Sequence, residues 1–180
     1  MYGDDRDTVY KTDYRDNEGT GALTNYMSHD QQQIRDRAGR EMSDEELDQF
    51  DARSEGQRNR HIIISPDNRH GLSEQEMDRA TRAYMSEMVE DRPTADYVYA
   101  IHDDKEDEQD IHIAMTASDK TDLEMYPDDI REERQRAHSR YQEQQKEQQQ
   151  EKEQEQEQQI PHWKRQEREN EQEIERGMGR

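Results

Sequence analysis

Apolar residues are scarce in this chain, and they collect in one region. Only 26% of the 180 residues are hydrophobic, so a core can form in few places. Residues 97–115, YVYAIHDDKEDEQDIHIAM, hold two short apolar runs that face each other across an acidic stretch, and each run carries a histidine. Side chains two apart on a strand share a face. Asp110 and His112 therefore point one way, while Ile111, Ile113 and Met115 point into a core. The polar DDKEDEQ at 103–109 reads as a loop, so 97–102 and 110–116 are expected to pair as a hairpin. That pairing brings His102 beside Asp110 and His112. Two imidazoles and a carboxylate at one sheet edge suit a divalent ion with open positions for water or phosphate oxygens. The same spacing also fits solvated surface side chains, because Asp-x-His pairs are common in acidic chains.

The neighbouring patterns extend this unit. HIIIS at 61–65 has the β-branched density of a buried strand, and Pro66 stops it. SEQE at 73–76 is a capping box, followed by Met77, Ala80, Tyr84, Met85 and Met88 at helical spacing, a stripe that reads as core. Upstream, TVYKTDY at 8–14 predicts a short strand, and the glycines of NEGTGAL at 17–23 predict a turn. Residues 22–27 open a helix, and SDEE at 43–46 forms a second capping box. The order of strand, helix, strand, strand predicts an α+β fold: an antiparallel sheet with flanking helices.

From about Asp128 the composition changes. YQEQQKEQQQEKEQEQEQQ at 141–159 has low complexity and no apolar stripe, so a solvated helix and a disordered tail both fit. No a/d pattern supports a coiled coil. Pro161 interrupts any helix, and HWKRQ at 162–166 is either a small basic docking spot or part of a spacer. The expected organisation is a folded domain over 1–127 and a Gln/Glu-rich tail over 128–180.

Charge and composition exclude several classes. There is no cysteine, hence no disulfide or thiolate metal site. No apolar run approaches the roughly 20 residues that span a bilayer, so the chain is expected to be cytoplasmic, with no membrane partner. A net charge of -21 argues against a nucleic-acid partner at first sight. However, only six of the 26 cationic residues are lysines, and carboxylates with arginine favoured over lysine suit a halophilic cytoplasm. At about 1 M salt the Debye length is only about 3 Å, and bulk negative charge then repels DNA little. No Walker-type glycine loop, zinc motif or serine triad is present.

Taken together, RHIIISPDNRHGLSEQEMDRATRAYMSEM at 60–88, YVYAIHDD and DIHIAM resemble the relaxase, or mobilization-nuclease, family of histidine–hydrophobe–histidine endonucleases. The resemblance covers about 22–115 and implies a relaxase-like palm. It implies a DNA-nicking activity in plasmid mobilization, conjugation or rolling-circle replication, with single-stranded DNA at a plasmid origin as substrate and accessory mobilization proteins as partners. Carried over, His102 matches the first metal histidine and His112 the last. Asp110 stands where the family has its middle histidine, a departure that tilts preference toward hard ions, Mg²⁺ or Mn²⁺. Asp104 matches an acidic position of the family's loop, orienting an imidazole. The resemblance also calls for a nucleophilic tyrosine after a glycine turn, and Tyr26 in GTGALTNYM fits, ahead of Tyr10 and Tyr14. Arg58, Arg60 and Arg69 flank the central strand as candidate DNA contacts. His29, His61 and His70 read as surface or capping residues. A catalytically inactive relative that binds DNA or a partner, and an acidic interaction protein working through its tail, are the competing readings.

Overall fold

The computed structural model describes residues 8–15, 19–29, 32–66, 71–105, 108–159, 161, 171, 174, 176 and 177, excluding the side chains of residues 103–105 and 108. Five strands form one antiparallel sheet in the order β1-β3-β5-β4-β2. They are β1 (Val9–Arg15), β2 (Ile34–Arg35), β3 (Arg58–Ser65), β4 (Ala95–Lys105) and β5 (Glu108–Ala117). The helices that accompany them are α1 (Gly21–Met27), α2 (Asp44–Ser54), α3 (Glu74–Met88) and α4 (Pro127–Gln159). The α+β architecture is the one the sequence predicts.

Both capping boxes form. Ser43 and Glu46 close the start of α2, and Ser73 and Glu76 close the start of α3. Each pair satisfies backbone N–H groups that a helix start leaves without partners. Gly19 turns the chain between β1 and α1 with φ +63, and a Cβ there would meet the Ser54 carbonyl oxygen at 3.1 Å. Only glycine adopts that backbone in so tight a space.

The sheet has a core on each face. On one, Ile62 and Ile64 of β3, Ile111, Ile113 and Met115 of β5, and Tyr97 and Tyr99 of β4 pack with Met77, Tyr84 and Met85 of α3. On the other, Val98, Ala100 and Ala114 pack with Leu23 and Met27 of α1, Ile34 of β2 and Phe50 of α2. Alternation along each strand divides these residues. It also explains why the β5 segment DIHIAM is apolar at every second position on one side and mixed on the other.

Two expectations need adjustment. The acidic stretch 103–109 is not all loop, since Lys105 pairs with Glu108 after a register irregularity beyond His102. Hairpin pairing outweighs the charge of that segment. The change in composition at Asp128 also does not end the packing: Ala137 and Tyr141 of α4 are buried in the first core, and Ile130 lies against it. The Tyr141 hydroxyl shares a hydrogen bond with that of Thr81 at 2.7 Å. The chain clusters into compact units of 1–144 and 145–180. In the second unit, residues 145–159 are helical, and HWKRQ lies outside the described residues.

Candidate active site

The sheet register determines which side chains meet. His102 pairs with Asp110, Ala100 with His112, Ile63 with His112, and His61 with Ala114. Cross-strand partners share a face, so His61, His102, Asp110 and His112 all project from the face that α1 and α2 cover in part. His102 and His112 stack with ring centroids 4.4 Å apart. His61 adds a third imidazole, its Nε2 3.1 Å from His112 Nδ1. Ser65 Oγ, at the end of β3, donates to Asp110 Oδ1.

Tyr26 reaches the same place from α1. Its ring stands edge-on to His112 and His61, with centroids 5.7 and 6.1 Å away. The side chain is 58% exposed, so a large substrate can approach it. The rivals lie elsewhere. Tyr10 and Tyr14 pair with Ile64 and Arg60, which places both on the opposite face. Tyr10 is buried with its hydroxyl bonded to Tyr84 at 2.9 Å, and Tyr14 lies beneath the guanidinium groups of Arg58 and Arg60.

What holds Tyr26 in position is a polar cluster under α1. Thr20 and Thr24 donate to the two oxygens of Asp51 on α2, at 2.6 and 2.7 Å. Ser54 accepts from the Thr20 backbone N–H at 2.9 Å. A seven-residue helix such as α1 is too short to be stable alone. Its position comes from α2 and from burial of Leu23 and Met27.

Burial, then the neighbouring His102 and His61, push His112 down to about 4, against the opposing pull of Asp110. It is therefore neutral near pH 7. His61 is also lowered by burial, with Asp13 opposing.

Of the other residues singled out in the sequence, Arg60 is buried and committed to the Leu123 carbonyl and Thr12 hydroxyl, at 2.7 and 3.0 Å. Alternation places it and Arg58 on the face away from the histidines. The structure thus does not bring these two arginines to the site. Arg69 and the Asp104 side chain lie outside the described residues. The contact of His61 with His112 was not anticipated. The available signal was parity: His61, Ile63 and Ser65 share one side of β3.

The family model for the relaxase, MobA/VirD2-like, nuclease domain matches residues 11–150. The chain belongs to this relaxase family. No curated protein and no solved structure matches it. DNA nicking, by an endonuclease or strand transferase, is the general activity of such relaxases, and they depend on a divalent metal. Among the described residues no three His, Asp or Glu side chains stand in ligand geometry. The donor set nevertheless fits such an ion in kind. His102 Nε2 lies 3.0 Å from the Met27 carbonyl oxygen, which can only accept, so Nε2 carries the proton. A metal-binding imidazole is typically held this way, one nitrogen donating to backbone and the other left with its lone pair. No helix among the described residues is long and apolar enough to cross a membrane.

Proposed function

We propose that this relaxase nicks single-stranded DNA with Tyr26 as nucleophile, in plasmid mobilization or rolling-circle replication. The observation that carries the reading is Tyr26 standing against His112 on the face that also bears His102 and Asp110. In the reaction the phenolate oxygen of Tyr26 forms a bond to phosphorus, and the bond from phosphorus to the 3′ oxygen breaks. The phenol's proton passes to solvent, and the departing oxygen takes up a proton to become a free 3′-hydroxyl. A 5′-phosphotyrosine remains, and because it keeps the energy of the phosphodiester, the strand can be rejoined.

His102, His112 and Asp110 are the residues that would hold the divalent ion. When bound, the ion supplies charge stabilisation at the phosphoryl oxygens. A carboxylate among the ligands favours Mg²⁺ or Mn²⁺. Neutral His112 is in the form that binds metal, and Ser65 holds Asp110 at the rim. Lys11 projects from the same face, across β3 from His112, and is exposed; it is placed to meet a phosphate.

A supercoiled-plasmid assay with Mn²⁺ tests this reading. The wild-type chain should nick and become linked to DNA, Tyr26→Phe should abolish the link, and His112→Ala should weaken nicking about tenfold or more. Undiminished nicking by Tyr26→Phe would remove Tyr26 as nucleophile. Tight DNA binding with no nicking by any variant would leave the binding-only relative as the correct reading.

A further inference from the structure

Among the described residues, His61 is the imidazole on this face that neither the family resemblance nor the proposed chemistry uses. It contacts His112 through a specific atom pair, Nε2 to Nδ1 at 3.1 Å. Two uncharged nitrogens at that distance share a single proton, and which ring carries it sets the tautomer of both. We infer that His61 is a positioning residue: its Nε2 accepts the Nδ1–H of His112, which leaves the His112 Nε2 lone pair as the one available to a divalent cation.

Three observations support this assignment. First, His102 is already held in the corresponding way, through its own Nε2–H and the Met27 carbonyl. Each of the two stacked imidazoles then has one nitrogen engaged by the protein and one left over. Second, the contact is built by the sheet. His61 pairs with Ala114 and Ile63 with His112, so His61 and His112 are diagonal neighbours across β3 and β5. The small side chain of Ala114 leaves room for the ring. Third, position 110 holds an aspartate, and that aspartate is engaged by Ser65. With a carboxylate next in line on β5, the imidazole within hydrogen-bond distance of His112 Nδ1 comes from β3.

The inference rests on the proposed metal-binding role of His112, but its first test needs neither metal nor DNA. Long-range ¹H–¹⁵N spectra of the full chain report the tautomer of each histidine. His112 should carry its proton on Nδ1. His61→Phe, which fills the space without an acceptor, should abolish that preference, and His61→Gln, which supplies Oε1 as acceptor, should retain it. Mn²⁺ titration of the same proteins should show affinity weakened about 10- to 100-fold in His61→Phe and largely restored in His61→Gln. A wild-type His112 protonated on Nε2 would overturn the assignment, as would a His61→Phe protein with unchanged tautomer and Mn²⁺ affinity. Loss of Mn²⁺ binding in both His61 variants as complete as in His112→Ala would make His61 a direct ligand and overturn it as well. Failure of the nicking reading would look different: the tautomer and Mn²⁺ results would hold while no DNA adduct formed.

Discussion

Tyr26 contributes little to packing at 58% exposure. Its replacement by phenylalanine is therefore expected to leave unfolding free energy within about 0.5 kcal/mol of wild type by denaturant titration, even as the DNA link disappears. A large loss of stability would mean that the hydroxyl serves the fold. At this scale the sequence carried much of the arrangement. Alternation along 110–115 separated Asp110 and His112 from Ile111, Ile113 and Met115, and the structure keeps that separation. His61 was legible only in part: parity puts it on the side of Ile63 and Ser65, but its neighbours depend on how β3 registers against β5. A slip of one residue would move every side chain of β3 to the other face, and nothing local in HIIIS specifies that register.

Among the elements, α1 and α4 depend most on their partners. Replacing Asp51 with alanine removes the charged acceptor of the buried Thr20 and Thr24 hydroxyls and leaves them only Ser54 Oγ and the Gly21 carbonyl oxygen. This should cost about 1–3 kcal/mol and lower nicking by displacing Tyr26; unchanged stability would show that water or another group takes over. In α4, Tyr141→Ala should lose about 3–5 kcal/mol in chemical denaturation, since the ring is fully enclosed in the core. The role of α4 was hard to see because its apolar positions are sparse. Ile130, Ala137 and Tyr141 lie on one side of a helix whose remaining residues are nearly all polar. The helices with capping boxes were far easier to recognise, because their start signals are local.

Glu133 sits on that buried side of α4. Burial raises its pKa, while Arg136, with an Nη1 to Oε1 distance of 2.7 Å, pulls the other way. The proton is thus held more tightly in the folded than in the unfolded chain. The associated stability is present below the unfolded value of about 4.3 and is lost as pH rises through the folded pKa. Melting temperatures across this range should fall with rising pH in wild type and fall less in Glu133→Gln. Parallel profiles would place the charge effect elsewhere.

For the whole molecule, a net charge of -21 means that like-charge repulsion opposes compaction in dilute buffer. Screening should relieve it, so the melting temperature is expected to rise between about 0.1 and 1 M KCl, as the Debye length shrinks from about 10 to about 3 Å. A flat or falling profile would argue against adaptation to salt. The same screening lets so acidic a surface approach DNA, so strand binding should be assayed in high salt as well as low.

The most direct test of the central claim, that one sheet face gathers Tyr26 with the histidines for DNA scission, is to map the covalent adduct. The full chain would be incubated with Mn²⁺ and a single-stranded DNA pool of randomised sequence, then denatured, digested and analysed by tandem mass spectrometry. The account predicts a 5′-phosphonucleotide on Tyr26 and none in the Tyr26→Phe protein. An adduct on Tyr10 or Tyr14, on the opposite face of the sheet, would contradict it.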